Sequence, residues 1–465
     1  MDFLKEAALP QSTEHFQLLL LMLNLVYVVF LPYFGFLLGS AILSLRAVRP
    51  EATPGWRHRH RLAKDVMEIA LHNGGVVAFL GIVPAWTMVF IYAQLLQGTA
   101  AISVGLMGYG ALLFLGGVLL LLAYRQAFRF APLAETYDQL RRTDPASAEQ
   151  LQESAAYARN RVASQARLGR WGVALLVLSS ILTIGAMAVA SDQGNWTGVG
   201  SVFGLFLSPG FLLKYIQFLV VAAGATGLGI LFFFFVWQGG GPPGDPAYHL
   251  IVRKAGLGLA LASVLLQPIL IVLNVIALPD HALSGGLFGL SGASLILFFL
   301  AAQFLYAYSK QAEGGYISYA FYTLGVALLL LFTADQVAIG NATRPHAARL
   351  AVAFDRSTAD LKARLGIGMK TMSGEDIYNA KCSACHMFDQ KKVGPPYRVV
   401  LPKYAGDKAK LIAFVLNPVK VDPAYPPMPN QGLKPAEADS IASYLLSKYG
   451  GPATQQASAP ADTTR

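Results

Sequence analysis

Cysteine and charge are both scarce in this chain. Its 465 residues include two cysteines, three positions apart, so no disulfide framework staples it. Only 13% of the residues are charged, about half the share of a soluble globular protein. Meanwhile 55% are hydrophobic and the mean hydropathy is +0.49. That balance excludes an ordinary soluble enzyme and points to a membrane protein with a soluble appendage. No cleavable-signal pattern opens the sequence, because residues 1–14 are short and polar and the first apolar run is too long for a signal core. The net charge is +10, but the excess sits in loops beside apolar runs. It reads as membrane topology, with no nucleic acid as partner.

What the sequence does have is apolar runs. Eight are long enough to cross a bilayer, where about 20 residues are needed. They fall at 16–45, interrupted by Pro32, and at 75–96, 101–122, 171–190, 211–237, 255–278, 286–308 and 317–339. The polar stretch between the third and fourth reads as helical from about Ala146. The expected fold is all-α, a polytopic helical bundle over residues 1–340 followed by a linker at 341–372. Lysine and arginine crowd alternate connections, with Arg46, Arg57 and Lys64 after the first run, Arg125 to Arg170 after the third, Arg253 and Lys254 after the fifth, and Lys310 after the seventh. The intervening connections at 97–99, 191–209 and 279–285 have neither residue. By the positive-inside rule the first set is cytoplasmic, which places both termini outside.

Ionisable groups within the runs are few. The histidines are His15, His58, His60, His72, His249, His281, His346 and His386, and none lies in the middle of an apolar run. A membrane haem b is therefore possible but unsupported, with His15, His72, His281 and His346 as the ligands to consider. Glu68 stands four residues before His72, as a helix-end pair would. Lys214 and Asp335 fall near the outer ends of the fifth and eighth runs, where each would contact a quinol, snorkel to the interface or pair locally. No file of acidic residues crosses the bilayer, which argues against a proton pump. The glycines of Gly224-Ala225-Thr226-Gly227-Leu228-Gly229 predict close helix contacts.

The chemistry concentrates at Cys382-Ser383-Ala384-Cys385-His386. This spacing reads as a c-type haem attachment site, in which both thiols reach one porphyrin edge and the adjacent imidazole ligates iron. A redox dithiol is the other chemistry of this spacing. Around it, Ser373 opens a helix with Glu375 and Asp376 in its first turn. Val393-Gly394-Pro395-Pro396 follows the site, and Tyr425-Pro426-Pro427-Met428-Pro429 comes later. Pro435 starts a last helix on which Ile441, Tyr444 and Leu445 share one face. Residues 373–450 thereby resemble a class I cytochrome c, and 451–465 read as a disordered tail. The resemblance implies one covalent haem c with iron ligands His386 and Met428. It also implies that the Pro395 carbonyl accepts the imidazole Nδ1–H, and that the last helix packs on the first near Ile377 and Tyr378. A haem ligated on both sides by protein suits electron transfer better than oxygen chemistry.

The first run, with Phe16-Gln17 and Phe30-Leu31-Pro32, resembles the first span of cytochrome bd quinol oxidase subunit I. Two departures matter. Leu23, Asn24 and Leu25 stand where that family carries a haem-binding histidine, and the long outer quinol-binding loop shrinks to 279–285. The resemblance thus implies a diverged relative without those haems. The expected protein is a multi-pass cytochrome c of a bacterial inner membrane with a periplasmic haem domain. It would exchange electrons between membrane redox subunits or a quinol and a periplasmic acceptor or donor, as a respiratory subunit. A bd-like oxidase subunit with an appended haem c, and a transporter or sensor with a regulatory haem domain, are the alternatives.

Overall fold

The computed structural model describes residues 11–48, 56–143, 151–237, 245–311, 313–365 and 372–450. Among them no strand forms. Two units emerge, divided between Asp355 and Arg356.

The first unit is built on helices α1 (Thr13–Ala47), α2 (Trp56–Ala70) and α3 (Gly74–Leu95). Then follow α4 (Ser103–Thr143), α5 (Gln152–Ala190), α6 (Pro209–Phe235), α7 (Pro246–Ile276), α8 (Gly285–Gln311) and α9 (Gly314–Arg364). All but the amphipathic α2 are long and apolar enough to cross a membrane, eight in total. Polar caps set several starts: Ser12 accepts from His15 N, Asn73 from Val76 N, and Asp245 from Ala247 N. Within α3, Ala78–Ile82 winds as a π turn.

Several boundaries depart from the sequence reading. Helix α4 runs on to Thr143, so the polar stretch before Ala146 is helical as well. Residue 146 itself and the tail at 451–465 lie outside the described residues. Helix α9 has no break at 340. It continues through Pro345 to Arg364, and Ala342, Thr343 and His346 are buried with the bundle. Alanines at 342, 347, 348 and 351 favour that continuation. Glu68 faces Arg129 at 3.7 Å rather than His72, because the chain leaves the helix after Ala70 and turns His72 outward.

In a bilayer, helices gain little by hiding from lipid, so close packing and interhelical hydrogen bonds hold them. Small residues line the contacts. A Cβ on Gly227 of α6 would lie 2.5 Å from Ala260 N and Gly256 O of α7, and Ser263 Oγ donates to Val220 O at 2.7 Å. On α4 and α5, Ser179 Oγ donates to Gly110 O at 2.8 Å. Phe34 fills the centre, with ring centroids 5.0 Å from Phe114 and 5.5 Å from Phe218. Lys214 and Asp335 close on each other at 2.6 Å, joining α6 to α9.

The connections sort by charge. At one end of the bundle, His346 Nε2 contacts Gln97 O at 2.8 Å, Gln193 donates to Ala342 O, and Asn341 Nδ2 donates to Ala282 O at 3.0 Å. All three partners belong to connections free of lysine and arginine. At the other end, Arg125 donates to Leu71 O, Tyr248 to Asp65 at 2.6 Å, and Arg253 to Tyr308 O at 3.3 Å.

The second unit holds α10 (Gly374–Ile377), continued by a π turn at Tyr378–Cys382, then α11 (Tyr397–Val400), α12 (Lys408–Leu416) and α13 (Pro435–Gly450). Ser373 and Asp376 form a capping box. Helix α10 crosses α13 so closely that a Cβ on Gly374 would meet Ser440 O and Tyr444 Cβ at 2.3 Å. Ile377, Ile441 and Leu445 are buried in the same small core.

A substitution at the α6–α7 contact reports this packing. Gly227→Ala pushes a methyl into backbone that cannot yield as a side chain would, and should destabilise the bundle by about 1–3 kcal/mol. A thermal melt of the detergent-solubilised protein checks this: the midpoint should fall, with spectroscopic features of the second unit unchanged.

Candidate functional site

The π turn delivers Cys382 to the core of the second unit, where it is buried, while Cys385 is half-buried. His386 N donates to Cys382 O at 2.9 Å and Cys385 N donates to the same oxygen at 3.1 Å. This tight turn holds both thiols and the imidazole on one cavity wall. Two cavities meet there and share Cys382, His386, Pro395 and Met428 as walls. Cys385 faces one of them, while Leu401, Val415 and Ile441 give the other an apolar lining.

The imidazole is fixed from behind. His386 Nδ1 donates to Pro395 O at 3.0 Å, which leaves Nε2 free to bind a metal. Gly394 supplies the seat: a Cβ there would lie 2.3 Å from His386 Cε1 and 2.7 Å from both ring nitrogens. Gly394 N donates to Cys385 O at 2.8 Å, locking the seat to the motif. The Tyr397 ring stacks on the imidazole, with centroids 5.0 Å apart and planes at 22°. Burial pushes the Cys382 thiol above its usual range, partly offset by a hydrogen bond from Tyr397 and by the charge of Lys381.

Met428 lies on an irregular loop pinned just after it. Asn430 Nδ2 donates to Leu416 O at 3.1 Å, and Lys381 Nζ, from the π turn, donates to Gln431 O at 3.3 Å. Gly432 turns the chain at φ +62°, a conformation open to glycine. Prolines 426, 427 and 429 stiffen the rest. Met387 points outward and is exposed, Met372 packs on the domain core, and Met369 lies outside the described residues. Two thiols, an imidazole with a free nitrogen and a thioether around one apolar cavity match the donor set that haem c requires.

Sequence reasoning quoted Gly394 as part of a motif and missed that it seats the ring. It also missed Tyr397 and Lys381. An aromatic directly after Gly-Pro-Pro, and a cation beside the first cysteine, were the signals available. In the membrane unit His72, one of the four histidines considered for a haem, is exposed. His15 and His281 are exposed, and His346 is engaged by Gln97 O and by the Trp196 ring at 5.7 Å. No cluster of three or more metal-binding side chains occurs among the described residues.

The cytochrome c family model matches residues 372–448, wholly within the second unit. Cytochrome c-552 of Hydrogenobacter thermophilus is 36% identical over 92 residues, which is 19% of this chain and 93% of that protein. Cytochrome c-551 of Pseudomonas denitrificans is 34% identical over 79 residues, 16% of this chain and 95% of its own length. Cytochrome c-551 of Azotobacter vinelandii matches to the same extent. One covalently bound haem c is the cofactor this family implies.

The seat makes a sharp expectation. Gly394→Ala forces the imidazole off its position while leaving both cysteines in place. Haem should still attach, and the visible spectrum should shift from the six-coordinate low-spin form towards a weaker-field species. A spectrum identical to wild type would mean the loop yields instead. Through this C-terminal unit the chain belongs to the cytochrome c family.

Proposed function

We propose that this protein is a membrane-anchored monohaem cytochrome c that passes single electrons between a redox partner in the membrane, a quinol or a protein subunit, and an acceptor or donor outside it. Its place would be the inner membrane of a bacterium, with both termini and the haem domain on the periplasmic side. The sorting of basic and non-basic connections to opposite ends of the bundle supports that orientation. The observation that carries the functional reading is the fixed imidazole: His386 held by Pro395 O at 3.0 Å, with Met428 lining the same cavity.

In this reading Cys382 and Cys385 would form the thioether links, and His386 Nε2 and Met428 Sδ would ligate the iron. Bound haem supplies a one-electron couple. The chain's own contribution is rigidity. The Pro395 bond orients the imidazole and raises its basicity, Lys381 ties the methionine loop to the attachment turn, and Leu401, Val415 and Ile441 exclude water. With both iron ligands supplied by the protein, such a haem would favour electron transfer over oxygen binding. Eight spans exceed what tethering alone needs, which supports a membrane partner as part of a respiratory assembly.

A pyridine haemochrome spectrum with haem counted per chain is the first test, and haem c alone at one per chain is the expected result. Haem b beside it would overturn this reading of the membrane unit in favour of a bd-like oxidase. Separately, Met428→Ala should lower the haem potential and abolish the far-red sulfur-to-iron band. Persistence of that band would remove Met428 as a ligand.

A further inference from the structure

Charge is distributed unevenly around the cavity of the second unit. The part that Cys385 lines has one lysine, Lys381, whose ammonium already donates to Gln431 O at 3.3 Å. The part that Cys385 does not line has two, Lys403 and Lys420. Lys403 stands in the short turn Leu401–Tyr404 that follows α11, and Lys420 stands in the irregular segment after α12. Both are exposed, and neither ammonium makes an ion pair or a hydrogen bond among the described residues. Arg398 and Lys408 of the same unit are by contrast closed on Asp389 and Asp439.

Most of the remaining wall beside these two lysines is apolar, with Leu411, Val415 and Leu433 among its residues. Asp422 is the one acid lining it, and its Oδ1 accepts from Ala424 N at 2.9 Å. An apolar cavity with two unpaired ammonium groups at its rim suits a flat, apolar ligand that carries carboxylates at one edge. Haem is such a molecule. Its two propionates leave from the edge opposite the two vinyl positions, and the vinyl positions are where Cys382 and Cys385 would attach it.

We infer that Lys403 and Lys420 are the partners of the haem propionates, and through them tuners of its reduction potential. Each ammonium donates to a haem carboxylate in a charge-assisted hydrogen bond. The effect on the iron is electrostatic. Ferrous iron has one positive charge fewer than ferric, so an ionised propionate favours the ferric form, and a cation beside the propionate offsets that bias. Solvent screens both lysines, which makes each a modest tuner and not a structural clamp. The inference rests on the reading that haem c binds with His386 and Met428 as its ligands.

The test uses the full-length, haem-loaded protein in detergent and reads the midpoint potential by optical titration. Lys403→Gln and Lys420→Gln should each lower it, and the double variant should lower it further. Lys403→Arg and Lys420→Arg should hold it near the wild-type value, since the cation is kept. Haem count and the far-red sulfur-to-iron band should stay unchanged throughout. Lys410→Gln is the control: that lysine is exposed and unpaired but does not line the cavity, and its loss should leave the potential where it was. Redox-difference infrared spectra should show the propionate carboxylate bands displaced in the two Gln variants and unmoved in the control. Potentials and carboxylate bands unchanged in both Gln variants, or an equal fall in Lys410→Gln, would overturn the assignment and leave the lysines as solvated surface charge. Wild-type protein without haem c or the far-red band would sink the haem reading itself. The band present, with the potential indifferent to Lys403 and Lys420, would sink the propionate assignment alone.

Discussion

The lipid interior offers no water to a backbone amide. Every N–H and C=O that crosses it must find its partner inside the protein, and in this chain the answer is a helix each time. That requirement also removes the force that packs soluble cores, since a leucine side chain is as well placed in lipid as in protein. What remains is contact distance. Gly227 against Gly256, Ser179 against Gly110 and Ser263 against Val220 decide which helices pair and at what depth. The Lys214–Asp335 pair works within the same constraint: each charge is tolerable because the other is 2.6 Å away.

The second unit solves a different problem with few residues. It holds one imidazole in one orientation. Gly394 makes room for the ring, Pro395 fixes its proton, Tyr397 covers a face, and the attachment turn binds Gly394 in return. These contacts are circular, so the geometry of His386 is overdetermined. Reorganisation on a change of iron charge would be small in such a setting, which is what fast outer-sphere transfer requires.

Much of this was legible in the sequence. Spans, their number and the charge alternation follow from runs of one-dimensional pattern, and so does the attachment motif, whose chemistry is local. The α10–α13 contact was expected from the resemblance to class I cytochromes c, and the helical spacing of Ile441, Tyr444 and Leu445 marked the face that would make it. Other features depend on partners far apart in the chain. Lys214 and Asp335 are 121 residues apart, and His346 reaches Gln97 across 249. Nothing in either neighbourhood names the other. The length of α9 was hidden for another reason: loss of hydrophobicity after Ile339 marks the end of an apolar run and says nothing about whether the helix stops, and it runs on to Arg364.

The π turn at Tyr378–Cys382 has a consequence for the attachment motif. A wide turn accommodates one more residue than an α-helical turn, and one residue of α-helix corresponds to a rotation of about 100°. Cys382 therefore owes its inward direction to an insertion in the winding upstream of the motif. A single-residue deletion there, with the five motif residues intact, would rotate both sulfurs away from the cavity. Haem loading would be lost although every attachment residue is present. The pentapeptide is thus necessary but phase-dependent, and a segment that contacts no cofactor keeps its phase.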